Sequence, residues 1–255
     1  MKRSILALCL AIVVSTALGQ FNTPTIDGVV NANEYGVHTN GQNQEASGGQ
    51  TWYMTWDNTN LYVAITNATT SEGAVLYLDK NPLAPINGGT TADGTIVGQA
   101  YDGTNFAQLQ FLADLVVYFK DGYREYRTAD GANGWSSPTT SFGSYSSNSG
   151  TRELAIPWSV IGGRPSSFAW FGYVTTSPGG FVYGEMPAEN TGGNIGTLAR
   201  YDRYYIVNST SNGSSTKPFS RNCYIFNSTS DVSNFGAIAV FAFTMTSGGL
   251  TITRS

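Results

Sequence analysis

Hydrophobic and polar positions alternate in short runs along most of the chain. Residues 52–56, 61–66, 74–79, 106–112, 115–120, 123–128, 152–156, 168–175, 203–207, 223–226 and 236–245 have strand character, and turn-forming residues separate almost all of them. In Leu61-Tyr62-Val63-Ala64-Ile65 the larger aliphatics share one face and Tyr62 and Ala64 the other. That period of two predicts a half-buried strand, and so a sheet with one covered face. Helical candidates reduce to one turn, Pro157-Trp158-Ser159-Val160-Ile161, where proline is tolerated because the first N–H has no partner, and where Gly162 and Gly163 end the turn. Many short strands, Gly-rich connections and no helical alternation predict an all-β fold. The expected architecture is a single antiparallel β-sandwich, immunoglobulin-like or jelly-roll-like. Residues 130–150, around Trp135, and 177–197, with Tyr183, Glu185 and Glu189, read as long Gly/Ser-rich loops, and binding residues tend to sit on such loops.

Composition changes this picture at the N-terminus. Lys2 and Arg3 precede a mostly apolar stretch from Ile5 to Leu18, and Ala17-Leu18-Gly19 offers small residues for cleavage, so residues 1–19 read as a secretory signal. Removing Lys2 and Arg3 from 13 basic residues leaves 11 against 17 acidic ones, a net charge of −6. With no polybasic run, nucleic acid and anionic membranes are poor partners. No later segment approaches the roughly 20 apolar residues of a spanning helix, so no membrane insertion is expected. Loss of the signal also removes Cys9 and leaves Cys223, which cannot form an internal disulfide and reads as a buried, inert thiol. The domain expected from residue 20 to 245 must therefore be held by its core. Residues 246–255 read as a tail or the start of a further segment, so further domains of the same protein are an open possibility.

Five short motifs occur in order: Ile26-Asp27-Gly28, Trp56-Asp57 with Leu61-Tyr62-Val63, Val75 to Asp79, Glu153-Leu154-Ala155-Ile156-Pro157-Trp158, and Phe235-Gly236-Ala237-Ile238-Ala239-Val240. Together they resemble family 9 carbohydrate-binding modules and their DOMON-like relatives. The resemblance implies a secreted sandwich that holds a ligand rather than turning it over, and it implies structural calcium. It also implies a pair of tryptophans that sandwich a terminal sugar. Ser71-Glu72 and about Thr229-Ser230 stand in those places here, and none of them can stack on a sugar ring.

Aromatic side chains suit carbohydrate because the C–H face of a pyranose lies against a π face. Trp52, Trp56, Trp158 and Trp170 lie in or beside strand motifs and read as core. Trp135, with no apolar run around it, is the candidate sugar platform, with Tyr183 and Glu185 as further ligand contacts. Asp79 and Asn81 open a loop suited to a hard cation such as Ca2+, with Asp93, Asp102 and Asp114 following. Ala84 and Thr90 exclude an EF-hand. Asp57 reads as a turn former. His38 is the single histidine and reads as exposed, so haem, which some DOMON-like relatives bind through Met and His (here Met54), is not expected, nor is a Ser-His-Asp arrangement. Asn67, Asn208, Asn212 and Asn227 open Asn-x-Ser/Thr sequons. Glu125 with Glu153, or Glu185 with Glu189, would be the carboxylate pairs of a glycoside hydrolase, although Arg124, Arg127 and Arg152 suggest surface ion pairs instead. The leading reading is a non-enzymatic, extracellular module that binds a polysaccharide or cell-surface glycan. The alternatives are a structural or adhesive sandwich that has lost sugar binding, and a glycosidase.

Overall fold

The structure, a computed structural model, describes residues 21–38, 41–83, 86, 88–104, 107–176, 180–188, 190, 193–194, 199–200, 203–211, 217–223, 241–246 and 249–254. The signal segment, Glu189, Asn212, Asn227 and the Phe-Gly motif at 235–240 lie outside these residues, as does the side chain of Cys223. Described strands, in chain order, are β1 (Gln44–Ser47), β2 (Gln50–Trp56), β3 (Asn60–Thr66), β4 (Gly73–Asp79), β5 (Thr95–Val97), β6 (Ala107–Ala113), β7 (Leu115–Lys120), β8 (Tyr123–Thr128) and β9 (Tyr145–Asn148). They continue with β10 (Thr151–Pro157), β11 (Phe168–Thr175), β12 (Phe181–Met186), β13 (Gly193–Asn194), β14 (Ala199–Arg200), β15 (Arg203–Val207), β16 (Arg221–Cys223), β17 (Phe241–Thr246) and β18 (Gly249–Arg254). One 3-10 turn, Trp158–Ile161, follows β10 and ends at Gly162 in the left-handed region, as the Pro-to-Gly pattern predicts.

Two antiparallel sheets face each other. The first runs β1-β2-β3-β10-β9 and the second β13-β12-β11-β4-β7-β8, with β15 on the other half of β11's free edge and β16 beyond it. The fold is thus the expected antiparallel sandwich. Trp52, Met54 and Trp56 of β2 alternate into the interface, as do Leu61, Val63 and Ile65 of β3, and they meet Leu76, Val117, Phe168 and Trp170 of the second sheet. Trp52, Trp56 and Trp170 are fully buried and Trp158 nearly so, as the sequence indicates. At about 25 cal/mol per Å2, each large aromatic removed from water contributes roughly 4–6 kcal/mol of gross transfer energy.

Three expectations need correction. The loop at 177–197 contains β12, paired with β11 through Val174–Tyr183 and Thr175–Val182. The loop at 130–150 contains β9, paired with β10, and it also folds back on β8 and the residue after it through bridges Tyr126–Thr139 and Ala129–Trp135. Both strands have Gly- and Ser-rich neighbours, so turn chemistry hid the pairing. Finally, both faces of β3 are covered: Tyr62 and Ala64 lie under Tyr35, Ile26 and Val30. A third layer does the same for the second sheet. There Leu109, Phe111 and Ala113 of β6 cover Val75, Tyr77, Val116 and Phe171, with β6 in a small sheet of order β14-β6-β5.

The short motifs acquire physical roles. Asp57 closes the turn between β2 and β3: its Oδ1 accepts the N–H groups of Thr59 and Asn60 at 2.6 and 2.8 Å, and its Oδ2 accepts the Tyr62 hydroxyl at 2.7 Å. Glu153 Oε2 accepts three successive backbone N–H groups, from Asp27, Gly28 and Val29, at 3.1, 2.7 and 3.1 Å, and Oε1 accepts the Tyr35 hydroxyl at 2.9 Å. Successive amides pointing at one carboxylate form an anion-binding nest. Gly28 takes a φ of +90° there, and a Cβ would stand 2.8 Å from that of Asn148. The Ile-Asp-Gly and Glu-x-Ala-Ile motifs are thus two halves of one clasp.

Candidate functional site

On the outer face of the second sheet, beside the covering layer, Tyr118, Lys120, Tyr123, Glu125 and Arg127 meet Ala100, Tyr101 and Asp102 around a groove of about 380 Å3. Strand alternation puts Tyr123, Glu125 and Arg127 of β8 on this face, and the register sets Tyr118 against Glu125 and Lys120 against Tyr123. The loop before β6 supplies the other wall. Tyr101 and Tyr118 stack with ring centroids 4.4 Å apart, and Tyr123 meets Tyr118 edge-on at 6.1 Å. Tyr123 is the exposed ring of the three, at 42%.

Two hydrogen-bonded carboxylates organise the groove. Glu125 Oε1 accepts the Tyr101 hydroxyl at 3.0 Å and Arg127 Nε at 2.8 Å, while Oε2 accepts the Tyr123 hydroxyl at 2.5 Å. Asp102 accepts the Tyr118 hydroxyl at 2.7 Å and Lys120 Nζ at 2.9 Å. The hydrogen bond to Glu125, assisted by burial, pushes the Tyr123 phenol up to about 12. Burial, with Glu125 for Tyr101 and Asp102 for Tyr118, drives the other two phenols further in the same direction. All three hydroxyls therefore stay protonated near neutral pH. Two acids against two bases leave no net charge in the groove, while hydroxyl, carboxylate, ammonium and guanidinium groups crowd around aromatic rings.

The side chains singled out in the sequence do not form one site. Trp135 is half-buried: its indole N–H donates to the Val97 carbonyl at 2.8 Å and its ring lies 6.0 Å from that of Tyr77. It packs on the outer cluster of the second sheet, next to Ser136, whose carbonyl accepts Arg127 Nη1 at 3.3 Å. Trp135 thus borders the groove without lining it. Tyr183 packs against the core on the other face of that sheet, and its hydroxyl donates to Glu72 and accepts Gln50 Nε2 at 3.2 Å. Glu185 is buried at 8% exposure, which raises its pKa, and its Oε1 has no hydrogen-bond partner among the described residues. Sequence reading missed Tyr101, Tyr118 and Tyr123. The alternation Tyr-x-Glu-x-Arg on β8 signals one face, but the loop that completes it has no pattern that places it there.

Asp79 and Asn81 are brought together, although through the backbone: the Asn81 N–H donates to Asp79 Oδ1 at 2.9 Å while the Asn81 side chain is exposed. Asp114 Oδ2 accepts the Lys80 N–H at 2.8 Å, with Lys80 Nζ 3.5 Å from its Oδ1. Among the described residues no three His, Cys, Asp or Glu side chains converge as a metal site. Burial holds the Asp79 carboxyl up at about 7. His38, rather than being free on the surface, packs 4.9 Å from the Tyr53 ring and accepts the Tyr35 N–H at 3.2 Å through Nε2. Met54 faces the core on the other side of β2.

Glu125 and Glu153 do not face each other. Each lies on the outer face of its own sheet, so the whole sandwich core separates them, and sheets alone pack about 10 Å apart. Among the described residues, no helix is long and apolar enough to cross a membrane.

The chain is similar to a family 9 carbohydrate-binding module. That solved structure is the module from Caldicellulosiruptor kristjanssonii in complex with cellotriose. Identity is 13% and the TM-score 0.33, over 71% of this chain and 91% of that one. No protein-family model matches the sequence, and no curated protein matches it.

Proposed function

We propose that the protein is a secreted, non-catalytic carbohydrate-binding module whose tyrosine-lined groove contacts a neutral glycan. The observation that carries this reading is the groove's composition: three tyrosines whose hydroxyls, with Asp102, Glu125, Lys120 and Arg127, form a charge-balanced hydrogen-bonding surface beside an exposed ring. A polyhydroxylated ligand without charge matches it, because each sugar hydroxyl both donates and accepts while a C–H face stacks on Tyr123. Ionic ligands gain little where every charge already has a partner. Secretion rests on the signal character of residues 1–19.

Affinity electrophoresis of residues 20–255 through gels containing soluble polysaccharides tests the reading, with Tyr123→Ala beside Trp135→Ala. The expected result is retardation by a neutral polysaccharide that Tyr123→Ala abolishes and Trp135→Ala reduces only slightly. Retardation lost in Trp135→Ala and kept in Tyr123→Ala would move the site to the 130–150 segment. No retardation by any polysaccharide would favour a structural or adhesive sandwich.

A further inference from the structure

We propose that a second cleft, at the β9 edge of the sandwich, is an anion site that seats a carboxylate on the unpartnered edge of Arg152. Arg152 is fully buried. Its Nη1 donates to the carbonyls of Glu72 and Phe119 at 2.5 and 3.4 Å, whereas Nε and Nη2 have no partner among the described residues. The Nε–H and one Nη2–H point the same way along the planar guanidinium, so what is left open is an intact two-donor fork spaced for two carboxylate oxygens. The neighbouring acids do not fill it. The Glu72 carboxylate accepts the Tyr183 hydroxyl, and Asp121 sits in an exposed turn. Glu72 and Asp121 act on the buried guanidinium without bonding Nε or Nη2, and buried donors left unbonded carry a cost that a carboxylate-bearing ligand removes.

Register places this fork next to an opening. Arg152 pairs with Ser147 and Leu154 with Tyr145, so Tyr145, Ser147 and Arg152 share the inward face of the first sheet. Tyr145 and Ser147 in turn line a cleft of about 420 Å3 with Ser146, Asp121, Gly122 and Arg124. The Tyr145 hydroxyl is itself buried without a well-formed hydrogen bond among the described residues, with Ser147 beside it, and so offers a further donor. Arg124 is held at the rim by the carbonyls of Phe142 and Gly143 at 2.7 and 3.0 Å, and it offsets Asp121. Arg152 stands behind this lining rather than on it, with Glu72 and Asp121 both acting on it, so the open fork and not net charge distinguishes this cleft from the tyrosine-lined groove. Around the fork stand the Phe119 ring, 5.7 Å from Arg152 Cζ, and Leu154. Two oxygens in a plane match the two-donor fork, which is the geometry of a carboxylate.

The probes are D-glucuronate and D-glucose, alike except for the carboxylate, titrated into isotope-labelled residues 20–255 while the arginine Nε–H resonances are followed. The Arg152 resonance is assigned by its loss in Arg152→Lys. Saturable movement of that resonance with glucuronate, and none with glucose, is expected. Tyr145→Phe keeps the ring and should weaken the effect by roughly threefold to tenfold, and Tyr123→Ala should leave it unchanged. A resonance that ignores glucuronate and acetate overturns the site, as does equal movement with glucose. Movement with sulfate but with neither carboxylate overturns the assignment of ligand class. Should Arg152→Lys fail to fold, assignment through the Arg152 side-chain and backbone couplings keeps the wild-type and Tyr145→Phe titrations decisive.

Discussion

Glu153 and Glu125 occupy similar surroundings and do different work. Both sit near the middle of a strand on the outer face of a sheet, and both are almost wholly buried, at 0% and 4% exposure. The donors around Glu153 are three backbone amides and one tyrosine, fixed by the course of the chain. Those around Glu125 are two phenols and a guanidinium, side chains that can turn toward a ligand without unfolding anything. Backbone donors mark a clasp and side-chain donors mark a site that can exchange partners. Burial alone does not separate the two.

The largest test of that contrast is Glu153→Ala. It strands the buried Gly28 amide, the half-buried amides of Asp27 and Val29 and the Tyr35 hydroxyl and should cost about 3–5 kcal/mol in urea denaturation, with glycan retardation intact wherever the variant folds. A loss below 1 kcal/mol would contradict the clasp.

Asp79 sharpens the comparison as a buried carboxylate with one backbone donor on Oδ1. Its folded value of about 7 lies above the ordinary 3.8, so the protonated form is favoured on folding. The stability this group contributes is complete below about pH 4 and is lost as pH rises through about 7. Asp79→Asn should therefore flatten the fall in stability between pH 5 and 8 by roughly 2–4 kcal/mol. An unchanged slope in denaturation curves across that range would refute the assignment.

A smaller effect is expected of Glu125→Gln. It should weaken glycan binding by roughly tenfold, by disturbing the Arg127 and tyrosine hydrogen bonds, and shift the melting temperature little. Equal losses of binding and stability would make Glu125 another clasp. The smallest is Trp135→Phe, which keeps an aromatic ring on Tyr77 but loses the bond to Val97. It should cost about 1 kcal/mol of stability and leave retardation unchanged.

Much of the sandwich was legible because burial on one side writes a period of two, as at Leu61, Val63 and Ile65 of β3. The second covering was not, because Tyr62 and Ala64 read equally well as a solvated face. Nothing within β3 reveals that Tyr35 and Ile26 lie over them. The site was legible by halves: Tyr123, Glu125 and Arg127 alternate on one strand, but Tyr101 and Asp102 arrive on a loop whose course depends on tertiary packing. Trp135 is hard to read for a related reason: its apolar partners, Tyr77 and the covering layer, are distant in sequence, so nothing around it in the chain shows that part of its ring is packed.

The clasp also bears on the order of assembly. Asp27 and Glu153 stand 126 positions apart, and closing so long a loop is entropically slow compared with forming the β2–β3 or β7–β8 hairpins. Residues 27–29 should therefore seat late, after the two sheets have met, and pulsed hydrogen exchange at their amides would report that delay. Until then the outer surface of β3 is wet, and a chain emerging N-terminus first from the ribosome presents residues 27–29 long before the strand that receives them.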